Sequence, residues 1–163
     1  VFASIFTPPK GETTLIRTLT HDSIAAHPSV EFLVIVNPNS GPGAESLPGH
    51  DYERELPKLN AASNVTTIGY VRVDYCKKPL HDVCEEIDRF AGWHAGDVPG
   101  LAMQGIYVDE TPNHFSAGRA LYLEALWKHI KGKDGLLGQR LVSGTPDQAE
   151  CEPGGAPHHI SHH

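Results

Sequence analysis

The chain is poor in cysteine, in concentrated positive charge and in long apolar runs. It has three cysteines in 163 residues, Cys76, Cys84 and Cys151. An odd count does not make a disulfide framework. Cys76 and Cys84 can bridge if the local turn brings them together; otherwise they read as small, half-buried apolar side chains. Thirteen Lys and Arg stand against twenty Asp and Glu, a net charge of −7, with no basic cluster. That removes the electrostatic footprint expected of a nucleic-acid binder, and a neutral partner such as a glycan fits better. No apolar run approaches the roughly 20 residues of a membrane helix. No apolar leader is visible, and position 1 is Val, which reads as a processed, trimmed or incomplete start. Nor does a glycine-rich phosphate loop follow the first apolar segment, since Thr7-Pro8-Pro9-Lys10-Gly11 lacks the spacing.

What is present is alternation of two periods. Four β-type runs lie at Phe2–Phe6, Phe32–Val36, Val65–Val73 and Leu101–Val108. Phe32–Val36 is continuously apolar, as in a strand covered on both faces. Helical patterns separate them. Leu15 and Leu19 mark the first. In the second, Asp51 is a candidate cap, Tyr52, Leu56 and Leu59 share a face, and Pro57 shortens or kinks it. In the third, Val83, Ile87 and Phe90 share a face. In the fourth, Ser116 is a candidate cap and Ala120, Leu123, Trp127 and Ile130 form the stripe. Trp93 and Trp127 read as packing residues.

The order βαβαβαβα predicts an α/β fold with a parallel sheet. Strand ends fall at Asn37, Asp74 and Asp109, steps of 37 and 35 residues. That is near the ~31 residues per unit of an eightfold barrel, with a doubly wound sheet as the rival. Residues 1–131 thus read as the first four βα units of a (β/α)8 TIM-type barrel. Residues 132–163 hold six Gly, three Pro and four closing His and read as a disordered tail. His158, His159, His162 and His163 have no rigid element to make them a metal site, and no metal or cofactor is expected.

Polar residues at strand ends are the candidate site. Asp109-Glu110 follows an apolar strand. Neighbouring carboxyls split their proton affinities, which suits acid/base work; the alternative is a solvated acidic pair. Asn37 opens Asn37-Pro-Asn-Ser-Gly-Pro-Gly43, which suits either sugar hydroxyls or turn geometry. Tyr70, Asp74 and Tyr75 cluster at the end of the third strand. Tyr70 reads as a core tyrosine with a satisfied hydroxyl, and Asp74 and Tyr75 as site residues.

In combination, Phe32-Leu-Val-Ile-Val-Asn-Pro-Asn-Ser-Gly-Pro-Gly43, Asn64-Val-Thr-Thr-Ile-Gly-Tyr-Val71 with Asp74-Tyr75, and Gly105-Ile-Tyr-Val-Asp-Glu-Thr-Pro112 resemble the spherulin-4 (spherulation-specific) family. The resemblance runs from about residue 3 to residue 130. It implies a secreted (β/α)8 barrel of fungi and bacteria, akin to glycoside hydrolases that cut α-1,4-linked N-acetylgalactosamine in exopolysaccharide. It implies that Asp109 and Glu110 are catalytic and that a polysaccharide is the partner; by their strand-end positions Asn37, Asp74 and Tyr75 are expected to line the sugar site. A further glutamate from a later strand completes the family site and has no counterpart here; Arg140-Leu-Val-Ser-Gly-Thr-Pro146 stands nearest to the expected segment. The expectation is therefore a chain cut after its fourth unit, inactive as it stands, with Asp109-Glu110 on an open edge strand and self-association through the sheet edges. The alternative is a non-catalytic cell-surface or spore-associated protein that binds glycan or is structural.

Overall fold

The computed structural model describes residues 2–6, 24–138 and 141–143. Five strands, β1 (Phe2–Phe6), β2 (Phe32–Asn37), β3 (Val65–Arg72), β4 (Gly105–Asp109) and β5 (Leu141–Ser143), form one sheet. Every neighbouring pair is parallel and the spatial order is the chain order, β1-β2-β3-β4-β5. A doubly wound sheet reverses its order at a switch point; this sheet, across its described strands, does not. The fold is α/β with a parallel sheet wound in one direction.

Among the described residues, three full helices run between the strands: α1 (His50–Asn60), α2 (Leu80–Gly92) and α3 (Ala117–Gly132). They cover one face. On that face of β3, Thr67 donates a 2.6 Å hydrogen bond to Asn60 of α1, and the backbone of Gly69 lies under the Phe90 ring of α2. The register continues this face through Val34 and Val36 on β2, which pair with Thr67 and Gly69, and through Ile106 and Val108 on β4. Val34, Val36, Val71, Ile106 and Val108 are buried there against Leu56, Val83, Ile87 and Phe90. The opposite face carries Leu33, Ile35, Tyr70 and Tyr107, all half-buried. β2 therefore alternates between buried and half-buried positions. Its continuous apolar run does not mean equal cover on both sides.

Several local expectations shift. α1 begins one residue before Asp51. Gly49, at φ 92°, is its N-cap, and Glu53 N–H bonds the Gly49 carbonyl at 3.0 Å. Glycine takes that left-handed φ at little cost, which fixes the entry, while Asp51 adds charge to the first turn. Pro57 is carried inside α1 without ending it, and the helix continues past it, with Ala61 N–H on the Pro57 carbonyl at 3.1 Å. Ser116 caps α3 as expected, its Oγ accepting from Arg119 N–H at 3.2 Å. The buried positions of α3 are Leu126 and Ile130, with Tyr122 half-buried beside them. Of the expected stripe, Ile130 is buried and Leu123 half-buried, while Ala120 and Trp127 face out, Trp127 at 50% exposure. Trp93, in contrast, is fully buried edge-on to Phe90.

The sheet also extends past residue 131. Leu136 is buried, and β5 pairs with β4 through Gly105–Leu141, Ile106–Val142 and Tyr107–Ser143. β4 is thus an interior strand, not the edge that four units would leave. The four closing histidines and Cys151 lie outside the described residues. Cys76 and Cys84 are free and half-buried, and burial pushes both thiols up from their usual range.

Candidate active site

Strand twist and register bring the C-terminal ends of β2, β3 and β4 side by side. The five non-glycine residues with positive φ among the described residues all lie in the loops at these ends: Ser40, Asp74, Tyr75, Cys76 and Glu110. Left-handed backbone costs a side-chain-bearing residue free energy and gathers where function or tight geometry demands it.

Asp109 is the last residue of β4 and pairs with Arg72 across the ladder. Its side chain stands on the face away from the helices, with Tyr70 and Tyr107. Asp109 Oδ2 accepts a 2.7 Å hydrogen bond from the Tyr70 hydroxyl, and Oδ1 accepts a 2.8 Å bond from the backbone N–H of Glu110. The rings of Tyr70 and Tyr107, partners in register, stack at 6.1 Å between centroids and 23° between planes. Burial, then the bond to Asp109, pushes the Tyr70 hydroxyl far above its usual range, so it remains a donor at neutral pH.

Simple strand alternation would send Glu110 to the helix side. At φ 55° it leaves the strand instead, and its carboxylate lies 3.6 Å from Nε of Arg72, a residue of the Tyr70 face. The backbone turn thus brings both acidic groups to one side. Beyond the last paired residues, the two chains stay bonded. Val73 N–H donates to the Asp109 carbonyl at 3.1 Å, and Tyr75 N–H to the Glu110 carbonyl at 2.9 Å.

Asp74 and Tyr75 form a 3-10 turn closed by Lys77 N–H on the Asp74 carbonyl at 2.8 Å. The Lys77 ammonium sits 5.6 Å from the Tyr75 ring centre, a cation–π contact. Asn37 ends β2, and its Oδ1 accepts from Gly41 N–H at 2.9 Å. That bond is turn chemistry, with one amide oxygen committed to the loop.

The five residues expected at the site therefore occupy the ends of three adjacent strands. Tyr70, expected in the core, touches Asp109 directly, and Arg72 joins it. A groove of about 320 Å³ runs beside them through the β2–α1 loop, lined by Pro38, Asn39, Leu47, His50 and Tyr52 among others, and neither carboxylate lines it. Among the described residues no group of three His, Cys, Asp or Glu is set to hold a metal ion. Two carboxyls on one face, with a hydroxyl and a guanidinium against them, can exchange protons and stabilise positive charge.

The Spherulation-specific family 4 model matches residues 17–153. Spherulin-4 of Physarum polycephalum is 39% identical over 130 residues, which is 78% of this chain and 36% of that protein. The chain thus spans about a third of that relative's length. A crystal structure of Aspergillus clavatus Sph3 in complex with GalNAc superposes with a TM-score of 0.78 at 37% identity, covering 88% of this chain and 58% of the other. Sequence and fold similarity each cover most of the chain, and the family match spans β5. The chain belongs to spherulation-specific family 4.

Proposed function

We propose that this chain carries the acidic site of a spherulin-4-type glycoside hydrolase, acting on an N-acetylgalactosamine-containing extracellular polysaccharide. The observation that carries the reading is the Asp109–Glu110 pair, turned to one side of the sheet by the left-handed Glu110. The GalNAc bound to the related Sph3 structure supports the sugar class. One carboxyl protonates the glycosidic oxygen as the C–O bond breaks. The other, ionised, stabilises the oxocarbenium-like centre until water adds to it. Asn37, Asp74 and Tyr75 line the sugar site from the β2 and β3 ends, with Tyr75 offering a ring face to a pyranose. The sequential parallel sheet is read as part of a (β/α)8 barrel. Its edge strands β1 and β5 then meet further strands or a second copy. Secretion or cell-surface display matches such a substrate, and no described helix is long and apolar enough to cross a membrane.

The test uses a full-length family member assayed on a GalNAc polymer. Changing the equivalents of Asp109 to Asn and Glu110 to Gln removes charge or acidity at nearly constant shape. Each variant is expected to lose a hundredfold or more of kcat, roughly 2.7 kcal/mol of barrier, with circular dichroism unchanged. Rates within about threefold of the parent for both variants, under ~1 kcal/mol, would reject the catalytic role.

A further inference from the structure

The β2–α1 loop, residues 38–49, contains no helix or strand, yet it is fixed along its length. Asn37 Oδ1 accepts from Gly41 N–H at 2.9 Å, and Asn39 N–H donates to the Gly41 carbonyl at 3.1 Å. Arg89 of α2 donates to the Gly43 carbonyl at 2.7 Å. Leu47 packs over Gly96, where a Cβ would lie 3.1 Å from the leucine Cδ2. The groove of about 320 Å³ between this loop and the start of α1 is therefore preformed, and its volume lies at the lower end of the range of small-molecule sites. Tyr52, which lines it, is buried, and its hydroxyl donates to the Asn37 carbonyl at 3.4 Å.

The groove and the acidic pair share one end of the sheet. Val36 pairs with Gly69, so Asn37 stands level with Tyr70, which pairs with Tyr107 and bonds Asp109. The groove begins at Pro38, directly after Asn37. Two strand spacings, about 10 Å, separate the ends of β2 and β4. Pro42, Leu47 and Pro48 give the groove apolar walls, and Asn39 and His50 give it hydrogen-bonding edges. No lysine or arginine is among its described lining residues, so it offers no cation to a phosphate or sulfate. Of its carboxylates, Asp51 is already ion-paired with Arg54 at 3.2 Å.

We infer that this groove is a second sugar subsite, which holds an uncharged N-acetylhexosamine unit of the same polymer away from the acidic pair. The C–H face and acetamido methyl of the sugar lie on the proline and leucine walls, and its hydroxyls bond Asn39 and His50. The inference rests on the Proposed function for the identity of the polymer, and the GalNAc bound to Sph3 supports the acetamido sugar.

The experiment titrates this chain with a short α-1,4-linked GalNAc oligomer and follows backbone amides by nitrogen-15 NMR. The signals of Asn39, Ala44 and His50 are expected to shift. Ala44 is an exposed lining residue, and Ala44→Trp fills the groove without touching Asp109 or Glu110. It is expected to weaken oligomer binding about tenfold, while the shifts of Tyr75 and Glu110 on addition of GalNAc itself persist. If that variant does not fold, the double change Asn39→Ala and His50→Ala removes the polar edges and is expected to weaken binding about fivefold. Loop signals that do not move with the oligomer, or parent affinity in the folded variant, overturn the subsite. A maltooligomer or a de-N-acetylated oligomer that shifts the loop signals with equal affinity overturns the acetamido assignment. Binding is read at the loop whether or not glycan is cut. Shifts at the loop with none at Tyr75 and Glu110 would keep the groove and count against the acidic site; the reverse would remove the groove alone.

Discussion

Gly69 and Phe90 occupy one another's space: a Cβ on Gly69 would fall 2.7 Å from carbons of the Phe90 ring. The strand can approach α2 this closely only because position 69 has no side chain. Both residues are buried, and Phe90 is fixed from behind by Trp93 at 4.7 Å between ring centres.

Gly69→Ala is therefore expected to destabilise the fold by about 1–3 kcal/mol through overpacking. Urea unfolding measures it. Pairing it with Phe90→Leu should recover part of the loss, because the smaller side chain admits the methyl group. Strict additivity of the two changes would show that the contact is not the cause.

Asp88 ties α2 to α3, its Oδ1 within 2.6 Å of both Lys133 Nζ and His129 Nε2. Partial burial raises the proton affinity of its carboxyl, but the bonds to Lys133 and His129 outweigh that and hold it below the usual range. A carboxyl depressed in the folded state adds stability above its unfolded value, roughly pH 3.9, and loses it as pH falls through the folded value. Asp88→Asn should thus lower the melting temperature at pH 7 and converge on the parent near pH 2. A gap of equal size at both pH values would assign the effect to packing.

Ser116 supplies the side-chain cap of α3 and ends the loop that leaves Glu110. Ser116→Ala should cost about 1 kcal/mol, and Ser116→Asp should keep most of it, since a carboxylate also caps and suits the helix dipole. Thermal denaturation followed by circular dichroism decides between them. Equal stability of the Ala and Asp variants would remove the cap from the account.

The strands and the α1 and α2 faces were legible because each has one clear period. Tyr52, Leu56 and Leu59, and Val83, Ile87 and Phe90, are buried as their spacing requires. The α3 stripe was right at Ile130 and wrong at Ala120 and Trp127, for a physical reason. Leu121, Tyr122, Leu123, Leu126, Trp127 and Ile130 wrap most of its circumference, so several stripes fit the sequence and the packing against α2 selects one. β5 has three residues, too short for alternation to register among glycines. At the site, Asp109 and Glu110 were legible as carboxyls at a strand end. Tyr70 and Arg72 were not, because their contact with the pair depends on cross-strand register. The signal available was parity: Tyr70 and Arg72 are two apart and therefore share a face. The left-handed turn of Glu110 has no marker in residue type, since glutamate rarely adopts it.

The backbone bonds from Val73 to Asp109 and from Tyr75 to Glu110 carry the β3–β4 ladder into the loops, beyond the regular strands. The Asp74–Cys76 turn and the acidic pair are consequently geared together. A ligand that presses on Tyr75 pushes on a peptide group bonded to the Glu110 carbonyl. On the proposed function, a contact at Tyr75 is expected to reach Glu110 through this backbone bond, so that glycan recognition at the rim and the placing of the acidic pair would be one mechanical event.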